Sequence, residues 1–538
     1  MISHGDIGME HVNCDVLVLG SGSAGLRAAL SAREADLEVL VVSKGKPGRS
    51  TATWMSSGVM AGSTNEATLK DHLDRTLLAG RGINQRELVE ILVKEAPLRL
   101  NELKSFGIQA EFQDGFLFSK GRPPVQGHEI VRCLMEKNQE LGTQFVGNVL
   151  VTDLVMHNGV GAVKAYRQSS DQWIVISAKA VILATGGAAA LYLRHDNPKR
   201  MFGDGYILAI EAGAVLQDME FEQFYPLCLA EAGLPSLLIP PKLADCGRLI
   251  NEQGEDILDK YGIQERPAGE RARDRLSQAL FNEAYRNGQA VCLDLRSLSE
   301  EQWRIDPFSA AMAHILGDRY GAKHRPVRVA PAGHHTMGGV RIDGSAATSV
   351  PGLFAAGEVT GGLHGANRSG GNALSETFVF GARAGSSASN WAKGRSDGDR
   401  QECLKQLRKR EFNGGNGKLT MTDLQAKLRK IMWDECGILR NRKGLVQAIE
   451  AIKEINDEGD GLPLGCRGLE LADRIELQSA TKVAGLIVQG ALKREESRGA
   501  HFREDFPEQD DKNWCGHLQV RIANGEYVWN FQSEQPTV

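Results

Sequence analysis

The sequence predicts an α/β fold: a Rossmann-like dinucleotide-binding domain, split by an inserted α+β domain and followed by a C-terminal helical domain. Three observations carry this prediction. The apolar run Cys14-Asp-Val-Leu-Val-Leu19 enters Gly20-Ser-Gly-Ser-Ala-Gly25, and an alanine-rich helical stretch follows. Two later apolar strands, Ala180-Val-Ile-Leu-Ala-Thr-Gly-Gly187 and Pro351-Gly-Leu-Phe-Ala-Ala-Gly-Glu358, also close on glycine turns. Between them, from about residue 226 to 330, charged helical segments and Pro240-Pro241 replace the strand–turn–helix rhythm. The expected organisation is 10–225 and 331–393 for the two parts of the nucleotide domain, 226–330 for the insertion, 394–495 for the helical domain and 496–538 for an ordered tail.

In the first turn Gly20 allows the tight bend, Gly22 lets a pyrophosphate approach the backbone, and Gly25 lets helix and strand pack closely. The helix start adds free N–H groups and a positive dipole end, so Gly20, Ser21, Gly22, Ala24 and Gly25 are the candidate phosphate-binding residues. The second strand, 37–43, ends in Ser43-Lys44 where a nicotinamide-binding fold places an acid on the ribose, which weakens a case for NAD. The loop 46–59, with Ser50, Thr51 and Gly58, is rich in small and hydroxyl residues; it reads equally as a bed for a flat ring system or as a surface loop. Residues 66–106 carry helical periodicity, and strands and turns are expected from there to about 178. Thr185 and Gly186 end the next strand, Asp204 opens a helix, and Glu358 ends the last of the three. Asn372, Ala373 and Leu374 begin a helix behind Gly370-Gly371. Three glycine-terminated strands split by an insertion fit a flavin fold better than a nicotinamide one.

The bulk properties exclude several classes. At 538 residues the chain exceeds one simple core. A net charge of −5 gives no reason to expect nucleic acid as a partner. No apolar run reaches the length of a bilayer span, the first residues do not read as a signal peptide, and a cytoplasmic protein without direct membrane insertion is expected. Nine scattered cysteines with no C-x-x-C spacing argue against zinc ribbons and iron–sulfur clusters, and no metal site is expected.

With these residues laid out, the chain resembles the flavoprotein subunits of succinate dehydrogenase and fumarate reductase and their relative L-aspartate oxidase. The marks are Gly20–Gly25, Ala184-Thr-Gly-Gly187, Asp218-Met-Glu-Phe-Glu-Gln-Phe-Tyr-Pro226, Ala272-Arg-Asp-Arg-Leu-Ser-Gln-Ala279, Pro331-Ala-Gly-His-His-Thr-Met-Gly-Gly339, His364-Gly-Ala-Asn-Arg-Ser-Gly-Gly-Asn-Ala-Leu374, Ile431-Met-Trp-Asp434 and Glu496-Ser-Arg-Gly-Ala-His-Phe-Arg-Glu-Asp505. The resemblance implies FAD in the glycine-rich site under a capping domain. It also implies hydride exchange between flavin N5 and a small carboxylic acid. Covalent attachment in the complex-bound members uses a histidine in the loop matching 46–59; none lies between His11 and His72, so FAD should be held non-covalently.

On spacing alone Arg273 belongs to a charged run at 270–275 and reads as a solvated ion-pair face, and His334-His335 read as packed or capping residues. The resemblance instead implies Arg273 as proton donor or acceptor, with His334 and Arg368 as its catalytic companions on the substrate carboxylate. It further implies substrate contacts from His364 and from Tyr225, which stands where the family has histidine. The family's Arg-Gly-Glu-Gly segment is absent, and Asp245 is the nearest candidate for its acid. One half of a dicarboxylate site is therefore altered, and an acid with one carboxylate and a bulkier or neutral far end fits better. The alternatives are an L-aspartate oxidase-like amino-acid oxidase and a flavin electron-transfer subunit of a larger complex. The oxidase would pass electrons to oxygen or fumarate, whereas any electron chain calls for a separate iron–sulfur subunit, through which the chain would sit peripherally at a membrane.

Overall fold

The apolar runs that close on glycine become parallel neighbours in one mixed sheet. In the computed structural model, which describes residues 10–63, 66–121, 126–396, 399–407, 419–460 and 469–534, Glu10–Leu19 lies between Val39–Val42 and Gln172–Leu183, parallel to both. Gln144–Val146 extends the sheet beyond Val39–Val42. The strand Gln172–Leu183 changes partner along its length. Its first part pairs antiparallel with Val160–Arg167, while Val181, Ile182 and Leu183 pair in parallel with Leu353–Ala355. The three glycine turns therefore open at one edge of the sheet, the usual ligand-binding edge of an open α/β sheet.

Residues 16–19, 39–42 and 180–183 are buried throughout, as expected of parallel strands covered on both faces. Helices Ser23–Arg33 and Asn372–Lys393 pack together over one face. Glycine makes their close crossing possible: a Cβ on Gly385 would lie 2.2 Å from the Ala28 carbonyl oxygen.

The inserted region forms its own antiparallel sheet, in the order Glu222–Leu229, Val327–Thr336, Val291–Asp294, Arg248–Ile250. Leu227, Leu243, Leu276, Leu293 and Trp303 fill a core separate from that of the mixed sheet. The expected limits at 225/226 and 330/331 fall inside the two strands that lead the chain out and back. Register shifts at Gln223/Phe224 and Tyr225/Cys228 bend the outgoing strand beside the site.

One segment differs from expectation and two are drawn more finely. Gly127–Glu140 is a helix rather than strands and turns, with Ile130, Val131 and Leu134 buried on one face. The helical run 66–106 is two helices, Glu66–Ala79 and Arg86–Ser105. The tail is a hairpin, Gly516–Ala523 with Glu526–Ser533, whose first strand pairs with Leu216–Gln217. Its turn holds Asn524 and Gly525, both at positive φ (53° and 81°). Asn-Gly is the dipeptide such a turn demands, and it stands in plain view in the sequence. Helices Met421–Glu435, Arg442–Asp460 and Leu469–Lys493 pack against one another. Among the described residues no helix is long and apolar enough to cross a membrane.

Candidate active site

A cavity of about 1090 Å³ runs from the three glycine turns to the inserted domain. At its first end Gly20 has φ +117°, and a Cβ there would sit 2.1 Å from the Ala184 carbonyl oxygen, so only glycine lets the two strand ends abut. Gly25 does not line the cavity; its missing Cβ would meet Gly20 O at 2.1 Å, so it packs helix onto turn. At Gly22, by contrast, a Cβ would approach no protein atom closer than 3.6 Å, and this is where the wall is open to a ligand. Gly22 is the N-cap of Ser23–Arg33 and brings no capping side chain, which leaves the helix's positive end facing the cavity. Ser21 and Ala24 also line it, Ser21 Oγ accepting from Gly48 N–H at 3.0 Å.

Ser43, Lys44, Ser50, Thr51, Thr185, Gly186, Asp204, Glu358, Ala373 and Leu374 all line the same cavity. Ser43 Oγ donates to Gly45 O at 2.8 Å. Lys44 is paired with Asp204 and, at 2.9 Å, with Glu476. Burial opposes its charge, but these two carboxylates outweigh it and raise the ammonium pKa. Thr51 caps the short helix Ala52–Met55 by accepting from Trp54 N–H. Two buried cavity-wall atoms, Thr185 Oγ1 and Asp204 Oδ1, have no hydrogen-bond partner in the protein, which marks polar wall left for a ligand.

At the other end Arg273, Arg368, His334 and Tyr225 converge. Arg273 begins the helix Arg273–Phe281 and is 6% exposed, so the solvated reading of its charged run fails. Its Nη1 donates to Gln223 Oε1 at 3.0 Å, its Nε to Gly269 O at 3.3 Å, and its guanidinium lies 5.1 Å from the Tyr225 ring centroid. Burial lowers its pKa, and burial together with the neighbouring Arg273 cation brings Arg368 down to about 9. Arg368 is equally buried and its Nε has no partner. His334 Nδ1 bonds Asp196 Oδ2 at 2.7 Å; burial lowers the imidazole pKa despite that carboxylate, so neutral imidazole is the working form.

Four more expected contacts lie elsewhere. His364 does not line the cavity, because its Nε2 is tied to Glu376 Oε2 at 2.9 Å. Asp245 is turned away and accepts from Ala268 N–H at 3.0 Å. Asn372 is buried between His72 and Thr76, at 2.8 Å from each. Gly58 packs on Ser119 outside the cavity. Two residues escape a reading of the sequence. Asp196, which orients His334, sits in no recognisable pattern. Gln223 lies within the 218–226 motif, yet only the fold shows one amide joining both arginines: its Nε2 donates to Arg368 O at 3.0 Å and to Asn367 Oδ1 at 2.6 Å.

Comparison with known proteins settles the class. The family model for the FAD binding domain matches residues 15–374, and that for the fumarate reductase flavoprotein C-terminus matches 425–534. The chain belongs to the fumarate reductase/succinate dehydrogenase flavoprotein family. Its relatives include a component of the fumarate reductase (CoM/CoB) of Methanothermobacter marburgensis, 34% identical over 93% of this chain and 95% of that protein. The L-aspartate oxidase of Streptomyces coelicolor is 31% identical over 95% and 92%. Among solved structures, E. coli quinol fumarate reductase FrdA superposes with a TM-score of 0.85 at 27% identity, covering 98% of this chain and 99% of that one.

Membership in this flavoprotein family makes the chain an FAD-dependent oxidoreductase, and the residues fit the cofactor. The cavity has the volume of a large cofactor site, an open glycine at a helix N-terminus for the pyrophosphate, and unpaired polar atoms along its wall. Since the loop at 46–59 holds no histidine, acid precipitation of the holoprotein is expected to release all of its flavin into the supernatant. Yellow colour retained in the washed pellet would show a covalent link from another residue.

Behind the cavity wall Glu222 is fully buried, accepts from Thr336 Oγ1 at 3.2 Å, and is pushed up by burial to about 8. The unfolded chain releases that proton near 4.5 while the folded chain keeps it to about 8, so stability contributed by this group falls as pH rises through that window. Glu222→Gln is expected to flatten the decline in Tm of the flavin-free protein between those pH values. An unchanged slope would place the titration on another group.

Proposed function

We propose that this chain interconverts a saturated and an α,β-unsaturated bond beside the carboxylate of a small organic acid, with Arg273 moving the proton. The observation that carries the reading is the convergence of two buried guanidiniums and a neutral imidazole at the end of the cavity away from the phosphate-binding turn. FAD, when bound, supplies the hydride acceptor or donor. The protein's part begins with Arg368, whose unpartnered Nε and flat fork can take one carboxylate bidentately, at about 1.5–3 kcal/mol for each charge-assisted bond. His334 adds a neutral donor held in one orientation by Asp196. Polarising the carboxylate stabilises charge developing on the adjacent carbon, and Arg273 delivers or removes the proton there.

Arginine is a weak acid in water, but here burial disfavours the charged form of Arg273. Gln223 holds its Nη1 in register with the Arg368 backbone. Among the described residues the only grouping with metal-ligand spacing is His335, His364 and Glu376, with no cysteine in it. That supports electrons reaching the flavin from a separate iron–sulfur subunit, in keeping with relatives named as subunits, with any membrane contact made through the partner.

The test is anaerobic flavin spectroscopy of the holoprotein. Bleaching by a saturated acid, or reoxidation of dithionite-reduced protein by an unsaturated one, is the expected result. Bleaching by L-aspartate alone with rapid reoxidation in air would instead mark an amino-acid oxidase. Reduction only on mixing with a partner protein would mark an electron-transfer subunit.

A further inference from the structure

The substrate end of the cavity carries an apolar wall beside Tyr225. Val59, Phe116, Phe118, Leu237 and Leu238 line the cavity there and pack with Tyr225 in one hydrophobic cluster. Phe116 is placed at the substrate end by Gly371, where a Cβ would lie 3.1 Å from its Cδ1. The polar groups that a second carboxylate would need are spent. The Tyr225 hydroxyl donates to Ile239 O at 2.7 Å, Asp245 faces Ala268, and Lys242 is paired with Asp114 at 3.2 Å. Arg273 gives two of its N–H groups to Gln223 and Gly269, and its remaining N–H groups serve the proton step. Among the described residues at this end, the buried polar atoms without a partner are Arg368 Nε and, on the same side, His335 Nε2; Arg368 has one other bond, a long 3.4 Å contact to Ser369 O.

We infer that the substrate is a monocarboxylic acid whose β-carbon carries a neutral, apolar group: a 2-enoate or its saturated counterpart, not a dicarboxylate. The inference rests on the proposed function of the same site and names its substrate class. A second carboxylate would have to shed water against leucine and phenylalanine side chains or compete with Asp114 for Lys242, a cost a methyl or phenyl group avoids. The reaction is otherwise unchanged: one hydride and one proton added across the double bond, or removed to form it.

The experiment titrates oxidised holoprotein with fumarate, crotonate and cinnamate, following the flavin difference spectrum, in the native chain and in Leu238→Arg and Arg368→Ala. Crotonate or cinnamate is expected to bind roughly ten-fold or more tightly than fumarate. Leu238→Arg, which supplies a cation on the far wall, should move the preference at least about ten-fold toward fumarate. Fumarate binding as tightly as the monocarboxylates in the native chain, or no movement of the preference in a Leu238→Arg variant that keeps its flavin, would overturn the inference. If none of the acids perturbs the flavin, and Arg368→Ala changes nothing, the proposed function itself falls and takes the substrate class with it.

Discussion

Arg273→Ala is expected to lower turnover of the acid by about three orders of magnitude, the scale of a lost general acid, with flavin content and acid binding little changed. Every contact of the guanidinium points to proton work: its Nη1 is held by Gln223, its face lies over Tyr225, and Arg368 stands beside it. None of its contacts is with the glycine turns at the other end of the cavity, so flavin occupancy should survive. Arg273→Lys tests the role further, because a single ammonium cannot satisfy both Gln223 and Gly269 in the guanidinium's plane. Stopped-flow reoxidation of the reduced variant by an unsaturated acid reads the chemical step directly. Residual activity above about a tenth of normal, far outside the range for a general acid, would remove Arg273 from the proton path.

Arg494→Met is expected to destabilise the fold by about 3–5 kcal/mol, the cost of leaving buried charges unpaired. Arg494 is fully buried where the last helix meets the tail. It donates to Glu220 at 2.6 Å, to Glu496 at 2.9 Å, and to the carbonyls of Trp514 and Gly516 at 3.0 Å each. Methionine fills much of the volume but abandons Glu220, Glu496 and, at 3.7 Å, Asp218, which still has His517. Glu496 still has Arg498, at 2.8 and 2.9 Å, whereas Glu220 keeps no cation of its own, so Glu220 carries most of the cost. Adding Glu220→Gln to the variant should therefore recover part of the loss. Chemical denaturation of the native chain and the two variants reads the loss and its recovery, and a loss below about 1 kcal/mol, the range of a surface pair, would mean that water reaches the network. The tail motif containing Arg498 also matters to the site, since Ala500 N–H donates to Ala366 O just ahead of Arg368.

The parts of the site made by contiguous residues are legible in the sequence. Gly20, Gly22 and Gly25 each occupy a position where spacing assigns a distinct backbone task, and Thr185, Asp204 and Glu358 sit at element ends that the hydrophobic pattern locates. Residues assigned through a motif but without a local geometric requirement fare less well. His364 and Arg368 lie four apart in one segment, yet the first turns back to Glu376 and only the second reaches the cavity. Asn372 and Ala373 are adjacent at a helix start, where successive side chains point about 100° apart, and they face different neighbours. The helix Gly127–Glu140 escapes notice although its buried positions follow a helical period, because it lies between strands and starts without a capping side chain to mark it.

By itself the sequence determined the α/β class, the order of strands closing on glycine, and the cofactor class, because each depends on local backbone requirements or on long runs of apolar residues. Only the tertiary structure decided which charges are buried together. Arg273 and Arg368 lie far apart along the chain and meet through a single glutamine amide, and the apolar wall at that end of the cavity is assembled from Val59, Phe116 and Phe118 together with the distant Leu237 and Leu238. Burial and electrostatic coupling are properties of that assembly: the cost of taking a charge out of water depends on all of its neighbours in space, and chain spacing specifies almost none of them.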